Sequence, residues 1–220
     1  MRRPNPIAVA IAVLLPCAIP ARAQTVADSG TFVIRHGDTT VATEDFSRTA
    51  TALAGTLHLR NSRNTFQRYN LVVAPDATVP MVEVTVREDA DSGRQKARLV
   101  QRSRVIFRAD SAAVDAVIGQ RVETLVLGTT AGAVPYLNMS FAMLEQAVRR
   151  SRAPGGKSEV PFFNLGGGQT LSGKISPLAG DSLNLAIGDV DFHLAVDNSG
   201  RVLGGRIPSQ DVVVERLGSP

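Results

Sequence analysis

The feature that most constrains this chain is strict alternation of apolar and polar residues over many short stretches. Val82, Val84 and Val86 alternate with Glu83, Thr85 and Arg87, and Leu53, Gly55, Leu57 and Leu59 alternate with Ala54, Thr56, His58 and Arg60. Leu183, Leu185 and Ile187 repeat the pattern, as do Val190, Phe192, Leu194 and Val196. A period of two places one set on a buried face and the other in solvent, which is a half-buried strand. Turn chemistry separates the stretches, as in Ala74-Pro75-Asp76-Ala77, Glu88-Asp89-Ala90-Asp91-Ser92-Gly93 and Asp197-Asn198-Ser199-Gly200.

One segment has helical spacing instead. In Ser140 to Arg150, Phe141, Leu144 and Val148 form a stripe, Ser140 is suited to cap the start, and Arg149 and Arg150 suit the negative end. Ala112 to Gly119 fits a helix or a strand. The chain therefore reads as mainly β: an antiparallel curved sheet or half-barrel with one covering helix at about residues 140–150. Residues 24–220 read as a single β-rich domain, with no fixed-period repeat and no long linker.

The first 23 residues have the anatomy of a cleaved export signal: Arg2 and Arg3, an apolar run from Ile7 to Ile19, then Ala21-Arg22-Ala23. The run is shorter than the roughly 20 apolar residues that a membrane-spanning helix needs. The expectation is an exported protein of the periplasm or extracellular space, with peripheral envelope association open to it. Cys17 lies inside the signal, so the mature chain has no cysteine and its stability must come from packing rather than disulfides. Removing Arg2, Arg3 and Arg22 leaves 21 basic against 20 acidic residues. That near balance gives no electrostatic support to nucleic-acid binding.

Several constellations bear on chemistry. Arg98, Arg102, Arg104 and Arg108 share parity, which a solvated sheet face explains better than an anion-binding surface. Asp189, Asp191 and His193 also share parity and are metal-ligand types, successive members about 7 Å apart on a strand. With Val190, Phe192, Leu194 and Val196 opposite them, a solvent-facing side is the preferred account, and no metal or other cofactor is expected. Gly166-Gly167-Gly168 lacks the lysine and helix of a phosphate loop, and Asn138-Met139-Ser140 fits a glycosylation acceptor.

A further constellation, Ile34-Arg35-His36-Gly37-Asp38-Thr39, resembles the opening motif of the histidine phosphatase family. The resemblance implies a phosphoryl-carrying nucleophile at His36, a phosphate ligand at Arg35 and a further donor at Thr39. It stops after about eight residues: the other histidines, His58 and His193, are each followed by leucine, and no helix follows to carry a second arginine. The preferred reading of His36-Gly37-Asp38 is a hairpin turn.

The whole layout resembles the periplasmic half-barrel proteins typified by the lipoprotein carrier. It does so through Gly30-Thr31-Phe32-Val33, the Val82-Val84-Val86 strand, the helix at Phe141 and the closing hairpin from Leu194 to Arg201. That resemblance implies a concave apolar surface for an acyl chain or another amphiphile, or equally only a structural role at the envelope. The leading expectation is an exported, non-enzymatic envelope protein binding a lipid or other hydrophobic ligand or partner. The alternative is a phosphoryl hydrolase built on Arg35, His36 and Gly37.

Overall fold

A computed structural model of the protein describes residues 28–89 and 97–218. The proposed signal segment with Cys17, and the tip of the loop after Glu88, lie outside them. The strands are β1 (Asp28–His36), β2 (Thr39–Arg48), β3 (Ala52–Leu59), β4 (Thr65–Val72), β5 (Met81–Glu88), β6 (Arg98–Phe107), β7 (Ser111–Ile118), β8 (Arg121–Gly128) and β9 (Val134–Tyr136). After the helix α1 (Phe141–Arg152) come β10 (Glu159–Asn164), β11 (Thr170–Pro177), β12 (Ser182–Ile187), β13 (Val190–Val196), β14 (Val202–Ile207) and β15 (Val212–Leu217).

All fifteen belong to one open curved sheet. Its order is β8-β7-β6-β5-β4-β3-β2-β1-β15-β14-β13-β12-β11-β10-β9. Strands β1–β8 and β10–β15 are each an antiparallel meander, and the two meet where β1 pairs with β15, the last strand. Every pairing is antiparallel except β9 with β10, because α1 carries the chain across between those two. The sheet curls until its ends approach. The Thr170 hydroxyl donates to Thr129 Oγ1 at 2.8 Å, and Phe107 meets Phe163 edge to face at 5.4 Å.

The alternation read from sequence is the alternation observed. Leu53, Leu57, Val82, Val84, Leu183, Leu185, Phe192 and Leu194 all point into the core. Residues 112–118, compatible with either element, form β7, because hairpins on both sides give their backbone groups partners in β6 and β8. The expectation for the arginine row is corrected in part. A bulge at Val100 shifts the register, so Arg98 lies opposite Glu88 and pairs with it at 3.2 Å instead of sharing a face with Arg102 and Arg104. Arg108 falls beyond the end of β6.

The helix is where expected, with Ser140 as its N-cap accepting from the Met143 N–H at 3.3 Å. Its burial exceeds what a single stripe implies. Phe141 through Val148 are all buried, Glu145 and Gln146 included. The helix occupies the concave face and forms the centre of the core, with Phe141 at 5.9 Å from Phe32 and 6.4 Å from Phe192. Full burial of each large apolar side chain there contributes roughly 1.5–3 kcal/mol.

Candidate functional site

Because the helix lies inside the curved sheet, both of its ends meet polar side chains from the strands, and those residues form the chemistry of the interior. At the N-terminal end stands Glu44 of β2, fully buried. Its Oε2 accepts from the Phe141 and Ala142 N–H groups at 2.7 and 3.0 Å. Its Oε1 accepts from the Tyr69 hydroxyl at 2.7 Å and from the Ser140 hydroxyl. A carboxylate set against the unpaired N–H groups and positive pole of a helix is an anion in its favoured place.

Burial nevertheless pushes the Glu44 carboxyl above its ordinary value, working against these four donors. The Tyr69 hydroxyl is pushed well above its own, by burial and by Glu44 beside it. Tyr69 reaches Glu44 across Gly55, its cross-strand partner, because any Cβ at residue 55 would occupy the space of the phenol oxygen.

At the other end the donors are arginines. Glu145, buried in the second turn of α1, has Arg48 Nε at 3.3 Å, Arg149 Nε at 2.9 Å and Arg216 Nη1 at 3.0 Å. It also accepts the Val202 N–H at 2.9 Å. Asp28 takes Arg216 Nη2 at 2.6 Å and Arg149 Nη2 at 3.4 Å. The Arg216 guanidinium lies over the Phe46 ring at 4.8 Å, a cation–π contact. Arg48 donates to the Gln146 side chain and, at 3.3 Å, to the Ala142 carbonyl. Burial pulls its guanidinium down to about 10 while Glu145 opposes the fall, so it stays charged at neutral pH.

Beside this network a cleft of about 570 Å³ opens at the C-terminal end of α1, lined by Asp28, Arg48, Arg149, Arg152 and Arg201. The Asp197 turn forms its edge. Asp197 accepts the Ser199 and Arg201 N–H groups at 2.9 Å each, as the turn chemistry implied. Burial would raise this carboxyl, but the Ser199 hydroxyl and those N–H groups hold it below its ordinary value.

The residues singled out from sequence lie elsewhere. His36 ends β1 and is exposed, and the turn is closed by Gly37 at φ 55°, a left-handed conformation that suits glycine. Arg35 pairs with Glu215 on β15 at 2.9 Å. His193 on β13 accepts from Arg206 Nε at 3.3 Å. Three strand spacings, roughly 14 Å, separate it from Arg35 across the sheet. Arg35, His36 and His193 are thus not brought together. Asp191 is exposed and accepts from Asn184 at 2.7 Å, whereas Asp189 falls in the turn before β13. Among the described residues no three histidine, cysteine or carboxylate groups are grouped to hold a metal ion.

Glu44, Arg48 and Glu145 escaped the sequence reading, yet a signal existed. Ala42 and Phe46 point inward, so the parity of β2 sends Glu44 and Arg48 inward too. On the helix, Glu145 falls within the stripe of Phe141, Leu144 and Val148.

No family model and no curated protein matches this sequence. Two solved structures resemble the fold. A DUF1089 family protein from Pseudomonas aeruginosa matches with a TM-score of 0.52 and 13% identity, over 76% of this chain and 89% of its own. A beta-barrel-like protein of the domain of unknown function DUF1849 from Brucella abortus matches with a TM-score of 0.48 and 10% identity, over 88% of this chain and 97% of its own. At such identities the first likeness speaks for the fold alone.

Proposed function

We propose that this protein is exported to the cell envelope and acts there without catalysis, binding a lipid or another hydrophobic ligand. The half-barrel of the periplasmic lipoprotein carriers, which the sequence layout resembles, is an architectural model for such a role. The observation that carries the reading is where the exposed apolar side chains gather. Of the twelve exposed large apolar side chains among the described residues, Leu99, Ile106, Val117, Val122 and Val126 share one face of the adjacent strands β6, β7 and β8, while Ile118 and Leu125 lie on the opposite face. Val122 and Val126, on the terminal strand, are 76% and 73% exposed. Scattered apolar residues need no explanation, but a gathered patch marks a surface that is covered in use.

On this reading the ligand sits elsewhere than in the simplest half-barrel picture. The concave centre is filled by α1, so the hydrophobic contact belongs to the β6–β8 end of the sheet. No helix among the described residues is long and apolar enough to cross a membrane. The test is purification of the mature protein from its native envelope, organic extraction and mass spectrometry, with Val122→Ser/Val126→Ser in parallel. A lipid that copurifies with the wild type and is depleted in the double variant supports the reading. An extract free of lipid, or equal recovery from both proteins, overturns it.

A further inference from the structure

The geometry points to an anion-binding site in the cleft at the C-terminal end of α1, built to take a phosphate-bearing group. It stands on observations separate from the apolar patch and does not depend on the reading above. The first is a charge imbalance. Arg48, Arg149, Arg152, Arg201 and Arg216 surround the cleft and the network behind it, against the three carboxylates Asp28, Glu145 and Asp197. Two positive charges remain, shared among Arg149 and Arg201, whose side chains are 25% exposed, and Arg152, which is exposed. The negative pole of α1 supplies the equivalent of about half a charge, which leaves the greater part uncompensated.

The second observation is which donors are already used. Arg201 makes its ion contacts through Nε alone, at 3.4 Å to Asp197 and 4.0 Å to Asp28. Its two terminal nitrogens hold no hydrogen bond among the described residues. Arg149 commits Nε and Nη2 to Glu145 and Asp28, leaving Nη1. Arg152 commits Nη1 to the Asp197 carbonyl at 2.7 Å, leaving Nη2 and Nε. Uncommitted guanidinium N–H groups therefore reach the cleft from α1 and from the start of β14, with Arg48 beside them on β2.

The third is rigidity. Asp28 and Glu145 hold Arg149 in place, and the Asp197 turn holds the backbone of Arg201. The Arg149 guanidinium and the backbone that carries Arg201 are thus set before a ligand arrives, which lowers the ordering cost of binding. Donors arriving from several directions suit a tetrahedral oxyanion with acceptors on all sides, and arginine forks bind phosphate oxygens two at a time. A free phosphate ester and a phospholipid headgroup present the same chemistry here.

Titration calorimetry of the mature protein with inorganic phosphate at low ionic strength tests the site. Cosedimentation with phosphatidylcholine vesicles, with and without phosphatidylglycerol, separates the two sources. The variant is Arg152→Gln/Arg201→Gln, whose side chains lie at the edge of the network. Its unliganded melting temperature reports that it folds, and Arg201→Lys serves as a milder second variant. We expect saturable phosphate binding that weakens at least about tenfold in the double variant and less in Arg201→Lys.

Phosphate binding without vesicle binding assigns the site to a soluble phosphate ester. Vesicle binding that requires phosphatidylglycerol and is lost in the double variant assigns it to a headgroup. Neither phosphate nor vesicle binding by the wild type overturns the proposal, and so does binding that the double variant leaves unchanged. Lipid copurification that fails while phosphate binding persists would overturn only the reading of the apolar patch.

Discussion

The two ends of α1 pose the same electrostatic problem with opposite signs, and the protein treats them differently. At the N-terminal end a single carboxylate, Glu44, meets four donors and is closed off from solvent. At the C-terminal end five arginines meet three carboxylates, and the surplus faces an open cleft. The first arrangement is complete within the protein, which is what a structural anchor requires. The second is left open to something outside it. A buried polar group that is fully satisfied rigidifies a core, whereas uncommitted charge at a surface invites a partner.

Substitutions that break one end without the other sharpen this contrast. The largest effect is expected at Glu145→Ala, which removes the carboxylate shared by Arg48, Arg149 and Arg216. Leaving those charges buried together should cost about 3–5 kcal/mol of unfolding free energy, read from urea denaturation. Adding Arg48→Met to that variant should return part of the loss. Glu44→Ala should come next at about 3 kcal/mol, since it strands two helix N–H groups and two hydroxyls. Ser140→Ala and Tyr69→Phe each remove one member of that cluster and should cost about 1–2 kcal/mol in the same measurement.

A smaller effect should appear in the pH dependence. Burial holds the Glu44 carboxyl above its ordinary value of 4.5, so on acidification the folded protein takes up this proton before the unfolded chain does. The stability gained by protonation is fully present below the unfolded value and is lost as pH rises through the folded one. The melting-temperature difference between wild type and Glu44→Gln should therefore move in favour of wild type as pH falls from neutrality toward 4.5. A difference that stays constant over that range would show that the four donors cancel the effect of burial. The smallest effect is expected far from both ends. His36→Ala, at an exposed turn, should change stability by less than about 0.5 kcal/mol.

Much of the architecture was legible because strand periodicity is local. A residue's neighbours two positions away already say which face it occupies, and the turns at Asp197 and Gly37 declare themselves by residue type. The helix was equally legible, through Ser140 at its start and the arginines at its end. Local information ran out where meaning depends on what lies across the core. The parity of β2 sends Glu44 inward, but nothing near it shows that a helix N-terminus 97 residues later will meet it. Without that partner an inward glutamate looks like a fault in the pattern. The arginines of the cleft come from three separate segments of the chain, at residue 48, at 149 and 152, and at 201, each ordinary in its own segment. Conversely, Arg35, His36 and Gly37 drew notice because they sit next to one another, although adjacency brought them no partners.

By itself, then, the sequence determined that this protein is a curved antiparallel sheet with one helix, since hydrophobic period and turn residues act over a few positions. The tertiary structure decided that the helix fills the sheet instead of lying over it, and that its two poles face opposite kinds of charge. Such contacts arise only when strands remote in sequence close around the same volume, and burial there turns ordinary polar residues into groups that must be paired.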